Sequence, residues 1–182
     1  MPARRPSEAR KAQIVAATIA VLARRGYAHT SFEAICEQAG LSSKRLISYH
    51  FDGKDELLAT VVRVVLDEAA AYVRPVVEAA GEERARLEAY IRASLGFAAA
   101  RPEHVRALRQ IWCNTGGPIA DGWLDGLFEG GQRAGAFRGF DPAVMSAVLR
   151  ASIDEVAERL DPGACADELV KIFDRATRDG AS

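Results

Sequence analysis

The 182-residue sequence lacks the marks of secreted and membrane-spanning proteins. Its three cysteines, Cys36, Cys113 and Cys165, are odd in number and form no CxxC pair, so we expect reduced thiols and no disulfide framework. No apolar run approaches the roughly 18 residues of a spanning helix. The N-terminus also has no apolar stretch followed by a signal-peptide cleavage site. These absences predict a protein that stays in the cytoplasm.

Motifs of the common catalytic, nucleotide-binding and metal sites are missing as well. The three histidines, His29, His50 and His104, are too scattered for the HxxxH or HExxH spacing of a zinc site. Neither Gly-Gly pair begins a GxxxxGK[ST] phosphate-binding loop, and no Gly-x-Ser-x-Gly nucleophile turn occurs. The sequence therefore supports neither an enzyme nor a bound cofactor or metal.

The net charge is only −1, yet the charges are unevenly distributed. Residues 1–54 carry nine basic and four acidic side chains, whereas residues 55–182 carry 15 basic and 21 acidic side chains. Hydrophobic residues make up 49% of the chain, which is enough to form a buried core. A basic N-terminal segment on an acidic body indicates that this end contacts a polyanion.

Apolar residues recur at helical spacing along nearly the whole chain, and no β-rich run interrupts them. Residues 8–25 are an example, since one face of the predicted helix is formed by Ile14, Ala17, Thr18, Val21 and Leu22. We predict an all-α fold of about nine helices, with an N-terminal domain over residues 1–52 and a C-terminal helical domain over residues 53–182.

Two helix boundaries are predicted from local signals. Thr30 and Glu33 have the spacing of a capping box, in which each side chain accepts a hydrogen bond from the other residue's free amide. Pro75 is expected to end the helix that starts near residue 54, because the residue before a proline is pushed out of the helical region.

Residues 30–51 have the pattern of a helix-turn-helix, the motif that places its second helix in the major groove of DNA. Gly40 allows the first short helix to end abruptly, and Leu41 is an apolar turn residue that anchors the second helix. The pattern predicts that this second helix reads DNA with its outer face.

The outer face of that second helix is polar near its N-terminus. Ser43 and Ser48 are small hydrogen-bonding residues, while Lys44 and Arg45 can reach guanine O6 and N7 or a phosphate. We therefore predict that these four residues contact DNA.

Three segments of the sequence carry a family resemblance: Thr30-Ser31-Phe32, Ala39-Gly40-Leu41-Ser42, and Tyr49-His50-Phe51-Asp52-Gly53-Lys54 with Leu57-Leu58 after it. Together they resemble the DNA-binding domain of the TetR family of bacterial transcriptional regulators. The resemblance implies a ligand-responsive regulator, in the first place a repressor, that binds a palindromic operator as a homodimer and is released by a small molecule. Lys44 and Arg45 stand where many members have a small residue such as glycine, so the operator sequence is not carried over.

The same resemblance implies phosphate contacts by Thr30, Ser31, Tyr49, His50 and Lys54. Thr30 and Lys54 also stand where helices begin, and a helix N-terminus offers free amides and a positive dipole end to a phosphate. For Tyr49 and His50 the alternative is packing against neighbouring side chains. Arg4 and Arg5 lie on an N-terminal arm that either reaches the DNA backbone or only increases solubility.

The resemblance further implies a cavity in the C-terminal domain for an unknown small-molecule effector. Aromatic residues with a few polar anchors are typical of such cavities, and the alternative is that they form an ordinary core, as such residues more often do. The predicted lining residues are Tyr90, Phe97, Arg109, Trp112, Asn114, Trp123 and Phe128.

The last two predicted helices, over about residues 142–160 and 164–178, have apolar faces wider than packing on one body requires. Paired across a two-fold axis they would form a four-helix bundle and a homodimer, and the alternative is that they cover only their own subunit. For the whole chain, the alternatives to a regulator are a helical ligand carrier or interaction protein whose basic end is incidental, and a helical-bundle enzyme.

Overall fold

A computed structural model describes residues 6–117 and 122–178 of the chain. These residues form nine α-helices and a single 3₁₀ turn at Tyr27–His29, with no β-strand among them, which confirms the predicted all-α fold. The helices are α1 Pro6–Arg25, α2 Phe32–Ala39, α3 Arg45–His50, α4 Lys54–Ala79, α5 Glu83–Ala100, α6 Pro102–Thr115, α7 Trp123–Arg133, α8 Pro142–Arg159 and α9 Pro162–Thr177. None of them is both long enough and apolar enough to cross a membrane.

The helices pack into two compact units. The first unit contains the described residues up to Asp67 together with α6 from Glu103, and the second contains Glu68–Pro102 and the described residues from Gly122 onward. Within the first unit, Glu103 of α6 forms an ion pair of 3.0 Å with Arg24 of α1, and Gln110 of α6 accepts a hydrogen bond of 3.0 Å from the Tyr27 amide. The packing units thus differ from the boundary predicted at residues 52 and 53, which stays a prediction about functional domains.

The core of the first unit contains the apolar face predicted for α1. All five residues of that face are buried, and the Thr18 hydroxyl donates a hydrogen bond of 2.8 Å to the Ile14 carbonyl. Ile35 of α2, Ile47 of α3 and Leu57 of α4 are also buried. Removing such a side chain from water stabilises the fold by about 1.5–3 kcal/mol. These buried residues therefore fix α2, α3 and the start of α4 in the first unit.

The core of the second unit surrounds α5. Its cluster includes Leu87, Ile91 and Leu95 of α5, Leu124 and Phe128 of α7, Leu149 and Ile153 of α8, and Leu169 and Phe173 of α9. Gly131 of α7 is required there, because a Cβ atom at this position would lie 2.1 Å from the Phe137 ring. Arg84 closes one end, donating hydrogen bonds of 2.7 Å to Asp174 and 2.8 Å to the Ala136 carbonyl.

The prediction that α4 ends at Pro75 is wrong, since the helix continues to Ala79. A proline inside a helix removes one hydrogen bond and costs about 3 kcal/mol. Here the carbonyl that loses its partner belongs to Ala71, which is exposed and so within reach of water. Val73 and Val77 on either side are buried, and their burial offsets the cost.

Candidate nucleic-acid interface

The turn between α2 and α3 depends on Gly40. This residue has φ 63° and ψ 35°, in the left-handed region that glycine adopts without a steric cost. The Leu41 amide then donates a hydrogen bond of 2.9 Å back to the Cys36 carbonyl. The Gln13 side chain of α1 donates a hydrogen bond of 2.7 Å to the Ala39 carbonyl. The end of α2 is therefore fixed, as the helix-turn-helix pattern predicted.

Helix α3 has one buried side and one exposed side. Ile47 is buried, and so is Phe51 directly after the helix, as expected. On the other side Ser43, Lys44, Arg45, Ser48 and Tyr49 are all exposed. Tyr49 is 81% exposed, which excludes the alternative that it is a core tyrosine. The outer face of α3 is thus free to meet a partner.

Two cations at the start of α3 have different surroundings, Lys44 at the N-cap and Arg45 as the first helical residue. The Ser43 hydroxyl accepts a hydrogen bond of 3.2 Å from the Arg45 amide, and Lys44 occupies the N-cap position. The Lys44 ammonium pairs with the Glu33 carboxylate of α2. This contact raises the pKa of Lys44 and lowers the pKa of Glu33, so both groups stay charged at neutral pH. Arg45 forms no ion pair with any residue of the described part of the chain.

The N-terminus of α2 differs from the predicted capping box by one residue. Ser31 is the N-cap, and its hydroxyl accepts a hydrogen bond of 3.2 Å from the Ala34 amide. Thr30 is buried, and its hydroxyl donates a hydrogen bond of 2.8 Å to the Gly26 carbonyl. The 3₁₀ turn after Gly26 directs Thr30 inward, where it satisfies that carbonyl. Ser31 is therefore at the surface, whereas Thr30 is not.

Lys54, the first residue of α4, is held by the 3₁₀ turn. Its ammonium lies 4.4 Å from the centroid of the Tyr27 ring and 3.5 Å from the Tyr27 carbonyl oxygen. The Tyr27 amide in turn donates a hydrogen bond of 3.0 Å to the Gln110 side chain of α6. Sequence reasoning missed Tyr27 and Gln110, because they are 83 residues apart and belong to no local motif.

The other predicted DNA contacts lie at the end of α3 or outside the described residues. His50 is half-buried at the last position of α3, with its ring edge-on to Tyr49 at a centroid distance of 5.0 Å. Ser48 is exposed, and its hydroxyl lies 3.5 Å from the Lys44 carbonyl. Arg4 and Arg5 lie outside the described residues.

The predicted pocket residues are divided between the two units. Arg109, Trp112 and Asn114 lie on α6 in the first unit, where Asn114 is exposed and donates a hydrogen bond of 2.7 Å to the Gln110 carbonyl. The other four lie in the second unit. The sequence pattern alone could not separate the two groups, because it does not record which unit α6 packs in.

Of the four residues in the second unit, Phe128 and Phe97 are buried. Phe128 contacts the rings of Phe137 and Phe140 and belongs to the core. Tyr90 and Trp123 are half-buried, with ring centroids 5.8 Å apart. Trp123 also lines an open groove of about 610 Å³ together with Val77 and Leu127. Trp123 is thus the one member of the four that lines this groove.

The faces predicted for dimerisation are partly exposed and partly buried. Leu169 and Phe173 of α9 pack into the core of their own unit. Four large apolar residues remain exposed on or beside α8 and α9: Val144, Val148, Leu160 and Ile172. An apolar surface therefore remains on these two helices after the subunit has folded.

Comparison with known proteins gives matches in both sequence and fold. Residues 14–61 match the family model of bacterial regulatory proteins of the tetR family. The HTH-type transcriptional regulator BetI of Paraburkholderia phymatum is 33% identical over 88 residues, which cover 48% of this chain. The match covers 44% of BetI, so the chain spans less than half the length of that curated relative.

Two solved structures have similar folds over most of their length. A candidate transcriptional regulator from Pseudomonas aeruginosa PAO1 has a TM-score of 0.70 at 27% identity, covering 96% of this chain and 97% of that one. AibR in complex with isovaleryl coenzyme A and operator DNA has a TM-score of 0.74 at 18% identity, covering 90% of this chain and 97% of that one. Residues 14–61 therefore match the DNA-binding segment of the tetR family of bacterial regulatory proteins, and the chain shares the all-α fold of these two structures.

Proposed function

We propose that this protein is a DNA-binding transcriptional repressor of the bacterial cytoplasm that binds a palindromic operator as a homodimer and is released by a small molecule. The observation that carries the proposal is the exposed N-terminal end of α3, where Lys44 is the N-cap and Arg45 is the first helical residue. Recognition helices read DNA with residues at this end.

The residues of the proposed interface divide into two roles. Lys44 and Arg45 contact base edges, with Ser43 and Ser48 as shorter hydrogen-bonding groups. Ser31, Tyr49, His50 and Lys54 contact phosphates. Ser31 and Lys54 stand at the first turns of α2 and α4, where free amides and the helix dipole favour an anion. Thr30 is left out of this interface because it is buried.

The proposed dimer forms through α8 and α9. One helix-turn-helix contacts too few base pairs for useful specificity, whereas two related by a dyad read a palindrome. Val144, Val148 and Ile172 supply exposed apolar surface for such a contact.

The proposed release mechanism depends on α4, which runs from Lys54 to Ala79 and takes part in both packing units. A ligand that shifts α4 would change the distance between the two α3 helices of the proposed dimer. A coupling free energy of about 1–3 kcal/mol suffices for a 5- to 150-fold loss of operator affinity. AibR, which shares the fold, has been solved with isovaleryl coenzyme A and operator DNA, and this supports a ligand-linked switch.

Competition gel shifts test DNA binding. We expect duplexes that carry the operator to resist an excess of bulk DNA. If every complex is displaced by bulk DNA, the proposal is contradicted. A helical ligand carrier or interaction protein without specific DNA binding then becomes the better interpretation.

Tryptophan fluorescence tests the release mechanism. Trp112 and Trp123 are both half-buried, so quenching reports a ligand bound nearby. A small-molecule library that includes isovaleryl coenzyme A supplies the probes. By reciprocity, a releasing ligand must bind operator-bound protein more weakly than free protein by the same factor. Equal affinity for the two forms would exclude the switch and leave a constitutive DNA binder.

A further inference from the structure

Glu33 is an acidic residue on the side of the helix-turn-helix that meets DNA in the proposed function. It is the second residue of α2, and its carboxylate pairs with the ammonium of Lys44, which directly precedes α3. The contact links α2 to the N-cap of α3 across the turn. A carboxylate beside a proposed DNA interface repels phosphates, so its presence requires an explanation.

Stability does not explain the pair. The side chains of Lys44 and Glu33 are 57% and 64% exposed, and exposed ion pairs contribute little to folding. The helices are already fixed by the buried residues Ile35 and Ile47 and by the Gly40 turn. The fold therefore does not depend on Glu33.

The pair does restrict where the lysine can go. A free lysine on a protein surface has a long flexible stem and contacts any phosphate within reach, which adds affinity for every DNA sequence. An ammonium has three donors, so Lys44 can keep Glu33 as a partner and still donate to an acceptor on a base edge. Glu33 holds the ammonium beside the first turn of α3, where base edges are read.

We propose that Glu33 is a positioning residue for specificity: it holds Lys44 for base contact and keeps it from acting as an unspecific phosphate contact. The inference rests on the proposed function and adds a role to a residue outside the recognition helix. In the DNA complex Lys44 stays paired, and Glu33 itself does not touch DNA.

The proposal predicts a change in salt dependence. Each phosphate contact contributes about 0.9 to the slope of log affinity against log salt. In Glu33→Gln, Lys44 becomes free in both subunits of a dimer and adds two such contacts, so the slope for unselected DNA steepens by about 1.8. We expect binding to unselected DNA to tighten by about fivefold to tenfold.

Glu37 provides a matched control. It lies one turn later on α2, its side chain is 68% exposed, and it pairs with Arg25 of α1 at 3.0 Å. Both carboxylates line the same open groove on this unit. Glu37→Gln removes the same charge from the same helix, but the cation that it frees is not on the recognition helix. Its effect on either DNA is expected to stay within about twofold, since general repulsion by one exposed carboxylate is largely screened.

The test uses two duplex probes: one selected by the wild-type protein from a random-sequence pool, and the unselected pool itself. Fluorescence anisotropy at several salt concentrations gives the affinity and slope for the wild type, Glu33→Gln, Glu37→Gln, Lys44→Ala and the double variant Glu33→Gln/Lys44→Ala. Thermal melting confirms that each variant is folded.

We expect Glu33→Gln to bind the unselected pool more tightly and more salt-dependently but the selected duplex no more tightly than the wild type does, so that the specificity ratio falls. In the Lys44→Ala background, Glu33→Gln should leave the slope unchanged, because no lysine is freed. Equal effects of Glu33→Gln and Glu37→Gln, or equal tightening on both probes, would overturn the inference. Failure of the proposed function looks different: the wild type itself would then select no sequence, or bind neither probe.

Discussion

The outer faces of α3 and of α8 with α9 are both exposed, but their chemistry differs. In the first unit the face of α3 presents serine hydroxyls, Lys44 and Arg45 around a fixed turn. In the second unit, Val144, Val148 and Ile172 present aliphatic surface. Charged donors suit a solvated polyanion, whereas aliphatic side chains gain free energy only when another apolar surface covers them. This difference in chemistry is the basis on which the proposed function assigns the first face to DNA and the second to another copy of the chain.

The largest expected effect comes from placing a charge on the apolar face. In Val148→Glu a carboxylate would have to be buried without a partner if the proposed dimer formed. We expect the dimer dissociation constant to rise by at least about 100-fold, with helicity unchanged. Light scattering at micromolar concentration measures the mass of the variant.

The matched control is Val76→Glu on α4. Val76 is 48% exposed and Val148 is 52% exposed, so the two substitutions differ mainly in position. If both variants stay dimeric, or if the wild type is a monomer of about the chain mass of 19.6 kDa, the assignment of α8 and α9 to dimerisation is wrong.

Removing the cations of the polar face is expected to have the next largest effect. Each base contact is worth about 1–3 kcal/mol of discrimination, so Lys44→Ala and Arg45→Ala should each weaken operator binding by about 5- to 150-fold. Unselected DNA should lose much less. Arg63→Ala, which changes an exposed arginine paired within α4 to Asp67, is the control. Normal operator binding by the two test variants would show that the recognition residues are misplaced.

A smaller effect is expected from Gln110→Ala. The Gln110 side chain accepts a hydrogen bond from the Tyr27 amide, and the Tyr27 carbonyl accepts one from the Lys54 ammonium. The substitution therefore leaves the half-buried Tyr27 amide without a partner and loosens the position of Lys54, a proposed phosphate contact. We expect a loss of about 1 kcal/mol in unfolding free energy and a several-fold weaker, less salt-dependent binding to all DNA. Gln38→Ala, an exposed change on α2, should alter neither quantity. A slope equal to the wild-type slope would mean that Lys54 does not depend on this contact.

The smallest expected effect is the titration of Glu33. Lys44 lowers the pKa of this carboxyl. The small contribution of the pair to the free energy of folding is therefore present above the ordinary glutamate pKa, and it is lost as the pH falls through the lowered value. Carboxyl-detected NMR titration should give a pKa below the ordinary glutamate value in the wild type and a higher one in Lys44→Ala. If the pKa of Glu33 is the same in both proteins, the pair does not form in solution.

The sequence predicted those elements that depend on local signals. Helical periodicity identified nine helices, and Gly40 with Leu41 located the turn between α2 and α3. The errors occurred where packing overrides a local rule. Pro75 continues a helix because Val73 and Val77 are buried beside it, and Thr30 is drawn inward by the Gly26 carbonyl so that Ser31 becomes the cap.

Contacts between distant residues could not be predicted from one sequence. Exposed charges such as Glu33 and Lys44 pair only after the turn has brought their helices together. The aromatic residues of the second unit show the same limit, because helical spacing is identical for a core residue such as Phe128 and a groove residue such as Trp123.

The central claim is that the polar face of α3 reads a DNA sequence as part of a symmetric pair. The most direct test is to select duplexes with the wild-type protein from a random-sequence pool in the presence of competitor DNA, and to sequence those retained. We predict an enriched palindrome whose half-sites lie about one helical turn, roughly 10 base pairs, or a multiple of it apart. Retained sequences that are indistinguishable from the starting pool would contradict the account.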